Sequence, residues 1–91
     1  MKLKPEEIEA RLCDFPEWSQ QNGKMTRIFR FDTYLDGVRF VQRTADIAEE
    51  LNHHPDMLLS YGQVEVSVTT HDAGGITEKD FELAHRIEEA G

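Results

Sequence analysis

Ninety-one residues read as one domain, 1–91, with a core modest enough that self-association would add to its stability. Hydrophobic residues make up 38% and charged residues 31%, the balance of a soluble globular domain rather than of a disordered chain. With 18 acids against 10 bases the net charge is −8, which sets the average surface against nucleic acid and excludes it as the expected direct partner.

The first element is a short amphipathic helix over residues 5–14. Pro5 fits a first turn, Glu6 and Glu7 suit its positive end, and Ile8, Leu12 and Phe15 share a face until Pro16 stops it. Cys13, the single cysteine, is expected to be a small buried apolar residue of this helix; it can form no internal disulfide and belongs to no zinc-ligand cluster. No apolar run follows the N-terminal lysines and no stretch approaches a membrane span, so the expected location is cytoplasmic, without a membrane partner.

Trp18 to Phe31 reads as a hairpin turning at Asn22-Gly23, a pair suited to two consecutive positive φ angles. Phe29, Phe31 and Met25 share one parity of its second strand, and Trp18 is placed at a sheet–helix interface. Asp32 and Thr33 can cap the longest element, a helix over about residues 33–51. Its predicted stripe runs through Tyr34, Val38, Val41, Ala45 and Ala48, widened by Phe40, Ile47 and Leu51. Gly37 costs a little helix propensity and permits close packing.

Asn52 is placed as a left-handed C-cap, and Pro55 forbids continuation of the helix and pushes His54 into an extended conformation. A short strand over 57–61 and a tight turn at Gly62-Gln63 precede Val64, Val66 and Val68, which alternate with polar residues as a half-buried strand does. His71 is expected to end that strand, with 72–75 as a loop. Thr77-Glu78-Lys79-Asp80 matches a capping box, followed by a last helix with Phe81, Leu83, Ala84, Ile87 and Ala90 on its apolar face. The predicted architecture is α+β in the order α-β-β-α-β-β-α: a four-stranded antiparallel sheet with helices packed on one face, the other face open or covered by a partner subunit.

Three of the four histidines fall between positions 53 and 71. Taken singly, each has a structural explanation: His53 at the negative end of a helix, His54 in a loop, His71 at a strand end, Asp80 as the capping-box acid. His85 is read as surface. A metal centre is disfavoured, because adjacent His53 and His54 on extended backbone point to opposite sides and no HxH or HxxxH pair supplies two ligands from one element. Acid–base chemistry is the third reading, since histidine both gives and takes protons near neutral pH. With no nucleophile motif, phosphate loop or dinucleotide fingerprint, such chemistry would be proton transfer without a cofactor.

The run Glu49-Glu50-Leu51-Asn52-His53-His54-Pro55, then Tyr61, then Thr69-Thr70-His71-Asp72, then Gly74-Gly75-Ile76-Thr77-Glu78-Lys79-Asp80, resembles the pterin-4a-carbinolamine dehydratases. The likeness runs over nearly the whole chain, including Trp18, Phe29-Arg30-Phe31 and Phe40-Val41. It implies the fold predicted above, homodimers or homotetramers, and dehydration of a 4a-hydroxytetrahydropterin to a quinonoid dihydropterin in tetrahydrobiopterin recycling. It also implies catalytic roles for His53, His54 and His71, with His53 and His71 the leading acid–base pair in an unspecified order. Substrate binding falls to Glu49, Asn52, Tyr61 and Asp80, with Glu49 reaching His53 or the pterin and Asp80 orienting a histidine. The chain departs from common family choices at Asn52, Met57, Leu59-Ser60 and Lys79. A non-catalytic binding or assembly module on the same fold is the competing reading.

Overall fold

In the computed structural model, which describes residues 1–90, helix α1 spans Pro5–Leu12, strand β1 Ser19–Gln21, β2 Lys24–Arg30, α2 Tyr34–Leu51, β3 Asp56–Ser60, β4 Gln63–Val68, and α3 Glu78–Ala90. The four strands form one antiparallel sheet in the order β1-β2-β4-β3. This is the expected α-β-β-α-β-β-α order, with one additional single turn of 3-10 helix at His71–Ala73. Among the described residues no helix is long and apolar enough to cross a membrane.

Local chemistry explains most boundaries. Asn22 and Gly23 take φ of 52° and 76°, so the β1–β2 turn is closed by the pair whose backbones tolerate it. Thr33 accepts a hydrogen bond from the Asp36 amide at 3.1 Å and opens α2. Asn52 closes α2 in the left-handed region at φ 52°, ψ 43°. The amide of the next residue, His53, then reaches back to the Ala48 carbonyl at 3.0 Å, so the C-terminal carbonyls are satisfied as the chain swings away from the helix axis. Asn52→Ala is expected to cost about 1 kcal/mol, because a Cβ-bearing residue without a local polar group pays for that conformation, whereas Asn52→Gly should be near neutral. Urea unfolding of the two variants measures the difference.

One face of the sheet is the core. Met25, Phe29, Val64, Val66 and Val68 alternate inward beneath α2 and α3, and meet Phe40, Ile47, Phe81, Leu83 and Ile87. Trp18 is buried as expected, its Nε1 donating to Glu88 at 2.9 Å. The opposite face carries Thr26, Ser67, Ile28, Leu58 and Gln63, with Ile28 and Leu58 exposed, and is open in the single chain.

Three expectations are corrected. Cys13 is exposed, because α1 ends at Leu12 and buries Ile8 alone, leaving Cys13 at the C-cap. The buried stripe of α2 is Gly37, Phe40, Thr44, Ile47 and Ala48, while Tyr34 and Val38 face outward. Gly37 explains the rotation: a Cβ there would come within 3.1 Å of Leu59 Cδ1, so the helix approaches β3 through its bare backbone. His71 does not end a strand, since β4 stops at Val68 and His71 begins the 3-10 turn.

Candidate active site

Three of the four histidines, His53, His54 and His71, gather at the end of the sheet where β3 begins and β4 finishes, while His85 stays on α3 beside Glu89. His53 arrives there because the left-handed Asn52 turns the chain off α2. His71 arrives through a small closed loop: the Thr70 amide donates to the Gly75 carbonyl at 3.0 Å and the Gly75 amide returns to Thr70 at 3.3 Å. Gly74, at φ 77°, closes the 3-10 turn by donating to the His71 carbonyl at 3.0 Å. His71 is thus displayed on the surface from a loop whose base is fixed by two backbone hydrogen bonds.

Adjacent His53 and His54 go separate ways. His53 Nε2 lies 2.6 Å from Asp80 Oδ1, with the histidine side chain 12% exposed and the aspartate fully buried. His54 Nε2 lies 2.6 Å from Glu49 Oε2, and both of those side chains are more than half exposed. A solvated pair of that kind contributes little to stability. Glu49 therefore meets His54 rather than His53. No three His, Cys, Asp or Glu side chains among the described residues converge as metal ligands.

Asp80 is the hub. Its Oδ2 accepts from the Thr77 amide at 2.8 Å, the capping-box bond of α3, and also from the Thr70 hydroxyl at 2.8 Å. Its position in the first turn of α3 places negative charge at the positive end of the helix dipole. A buried carboxylate is tolerated when its lone pairs are filled in this way. Asp80 thereby joins three elements: the end of α2 through His53, the base of the His71 loop through Thr70, and the start of α3 through Thr77.

Of the residues singled out from the sequence, the fold brings His53, His54, His71, Glu49, Asn52 and Asp80 to this end. Tyr61 is elsewhere. It lies 79% exposed in the β3–β4 turn. The five residues of β3 separate it from the histidine end, a span of roughly 17 Å at the usual strand rise. Within one chain Tyr61 does not share the site. Asn52 contributes its backbone conformation and an exposed side chain. Thr70 was not among the expected site residues, because nothing at its own position signals a bond to a carboxylate ten residues away. A cleft of about 510 Å³ lies beside the loop, bordered by Thr70, Asp72, Ala73, Thr77 and Lys79.

The comparisons with known proteins agree in direction. The family profile described as pterin 4 alpha carbinolamine dehydratase matches residues 1–90. A relative from Picosynechococcus, provisionally named a pterin-4-alpha-carbinolamine dehydratase, is 47% identical over 83 residues, covering 91% of this chain and 90% of its own. One from Sulfolobus acidocaldarius, named in the same provisional way, is 44% identical over 87 residues and 96% of each chain. Among solved structures, a protein from Brucella melitensis described as a transcriptional coactivator/pterin dehydratase superposes with a TM-score of 0.92 at 28% identity, over 98% of this chain and 97% of its own. A pterin dehydratase-like protein described as a RuBisCO assembly factor in the alpha-carboxysome shares the fold, with a TM-score of 0.64 at 19% identity over 79% and 83% of the two chains.

Proposed function

This chain belongs to the pterin-4a-carbinolamine dehydratase family, and from that premise we propose that it dehydrates a 4a-hydroxytetrahydropterin to a quinonoid dihydropterin by histidine acid–base catalysis. The reaction removes the hydroxyl of carbon 4a as water and the proton of N5. It needs one group to protonate the leaving hydroxyl and another to accept the N5 proton. His53 and His71 are the pair we assign, with His54 and Glu49 binding or orienting the substrate at the exposed rim. The observation that carries the reading is the buried Asp80–His53 hydrogen bond, tied through Thr70 to the base of the His71 loop. That link holds histidines from two elements in a fixed relation, as general acid–base catalysis requires.

The natural setting of this activity would be recycling of tetrahydrobiopterin, and the working form a homodimer or homotetramer. Loss of a synthetic 4a-hydroxytetrahydropterin, followed by its ultraviolet spectrum with and without a chelator, tests the function. Turnover well above buffer that survives the chelator is the expected result; a rate equal to buffer abandons the enzyme reading.

The second reading is an assembly module, as reported for the RuBisCO assembly factor that shares the fold. The exposed apolar residues Tyr34, Leu35 and Val38 on α2 favour it. Under that reading a His53/His71 double variant would keep full biological activity and a stoichiometric protein partner.

A further inference from the structure

The hydrogen bonds around Asp80 run in one direction, and the direction can be worked out by counting protons. The Lys79 amide donates to Thr77 Oγ1 at 3.2 Å. Thr77 Oγ1 lies 2.8 Å from Thr70 Oγ1, and Thr70 Oγ1 lies 2.8 Å from Asp80 Oδ2. A hydroxyl has one proton to give. A carboxylate has none, so the Thr70 proton goes to Asp80, and the proton between the threonines comes from Thr77. The chain therefore reads Lys79 amide to Thr77 hydroxyl to Thr70 hydroxyl to Asp80. Thr70 and Thr77 are both about 5% exposed, and Asp80 is fully buried, so water does not compete for these bonds.

Asp80 Oδ2 then holds two donors, the Thr70 hydroxyl and the Thr77 amide. Oδ1 faces His53 alone, and as an acceptor-only atom it requires the proton of that bond to sit on Nε2. In a neutral imidazole the other nitrogen is then bare. No protein group among the described residues engages His53 Nδ1, and it is not one of the buried unpaired atoms.

We propose that Thr70 is a positioning residue: its hydroxyl is the last link of a one-way chain that fixes the orientation of the Asp80 carboxylate, so that Oδ1 stays aimed at the Nε2–H of His53 and the ring is held with Nδ1 presented as the proton acceptor. The proposal rests on the dehydratase reading for its catalytic consequence, though not for the tautomer. In that reaction Nδ1 of His53 takes the N5 proton, and the N–H electron pair forms the N5–C4a double bond. The C4a–O bond breaks, and the oxygen leaves as water with a proton supplied from the acid. Nothing is oxidised or reduced. Thr70 touches no reacting atom, and acts by leaving Oδ1 free and correctly aimed.

The test compares wild type, Thr70→Val and Thr70→Ser by steady-state kinetics and by nitrogen-15 NMR of the histidine rings at neutral pH. Thr70→Val keeps the shape and removes the hydroxyl; Thr70→Ser keeps the hydroxyl. The expected result is a wild-type His53 with its proton on Nε2. Thr70→Val should lower kcat about tenfold with KM unchanged and move the His53 Nε2 resonance, because the loosened carboxylate aims less well at the ring N–H, while the proton itself stays on Nε2 since either Asp80 oxygen accepts it. Thr70→Ser should restore both readouts to within about twofold of wild type. A wild-type His53 protonated on Nδ1 overturns the proposal whether or not the valine variant folds. A folded Thr70→Val with unaltered kcat and an unaltered His53 Nε2 resonance overturns it as well. If wild type has no dehydratase activity, the proposed function fails, and the NMR comparison still decides what Thr70 does to His53.

Discussion

His71→Ala is expected to slow dehydration of a 4a-hydroxytetrahydropterin by roughly 10²- to 10⁴-fold, the usual contribution of one general acid or base, and to leave the unfolding midpoint unchanged. The two halves of that expectation come from the same geometry. His71 is exposed at the tip of a loop, and the bonds that hold the loop are backbone bonds between Thr70 and Gly75 and from Gly74 to His71. Removing the imidazole breaks none of them, and exposed substitutions of this kind fall within about 0.5 kcal/mol. Stability measured by urea unfolding and kcat/KM measured on the same preparation separate the outcomes. A variant within twofold of wild-type kcat/KM would remove His71 from the mechanism.

Asp80 offers the converse experiment, because one site yields two variants with different signatures. Asp80→Ala strips acceptors from three donors at once: the Thr70 hydroxyl, the Thr77 amide and the His53 ring. All three lie in or beside the core, where an unsatisfied polar group costs about 1–3 kcal/mol. A loss of about 3 kcal/mol or more is expected, a large share of a small domain's stability. Asp80→Asn is gentler on the fold and harsher on the chemistry. Its amide oxygen can still serve Thr70 and Thr77, which turns its NH₂ toward His53. A donor facing Nε2 requires that nitrogen to be bare and the proton to move to Nδ1. The ring would then present a proton where the substrate needs an acceptor, and kcat should fall by roughly 10³- to 10⁴-fold, as in other sites where an amide replaces a carboxylate behind a catalytic histidine. Equal losses of stability in the two variants, or a fully active Asp80→Asn, would refute this account.

The exposed pair of His54 and Glu49 illustrates why sequence spacing alone misleads about partners. Glu49 is four residues before His53, the helical spacing at which side chains meet. The helix ends before that spacing can operate, however. Asn52 enters the left-handed region, and His53 is carried toward α3 while His54 swings back over α2. A one-residue change of partner follows from a single backbone angle.

What the sequence by itself determined is local. Asn22-Gly23 specifies a turn because both residues tolerate positive φ, and Asn52 ends α2 for the same reason. The alternation at Val64, Val66 and Val68 marks a strand with one dry face, and Thr77 with Asp80 marks the start of α3. These signals act within a few residues, so the order of elements and the sheet architecture were legible, whereas the grouping of His53, His71 and Asp80 was expected only from the family resemblance. Tertiary structure decided the rest. Gly37 set which stripe of α2 is buried by letting the backbone approach Leu59. The direction of β3 put Tyr61 at the far end from the histidines. The partners of Asp80 lie 27 residues away at His53 and 10 away at Thr70. Hydrogen bonds across such separations depend on where whole elements pack, and no periodicity or spacing in a single sequence encodes which lone pair meets which donor.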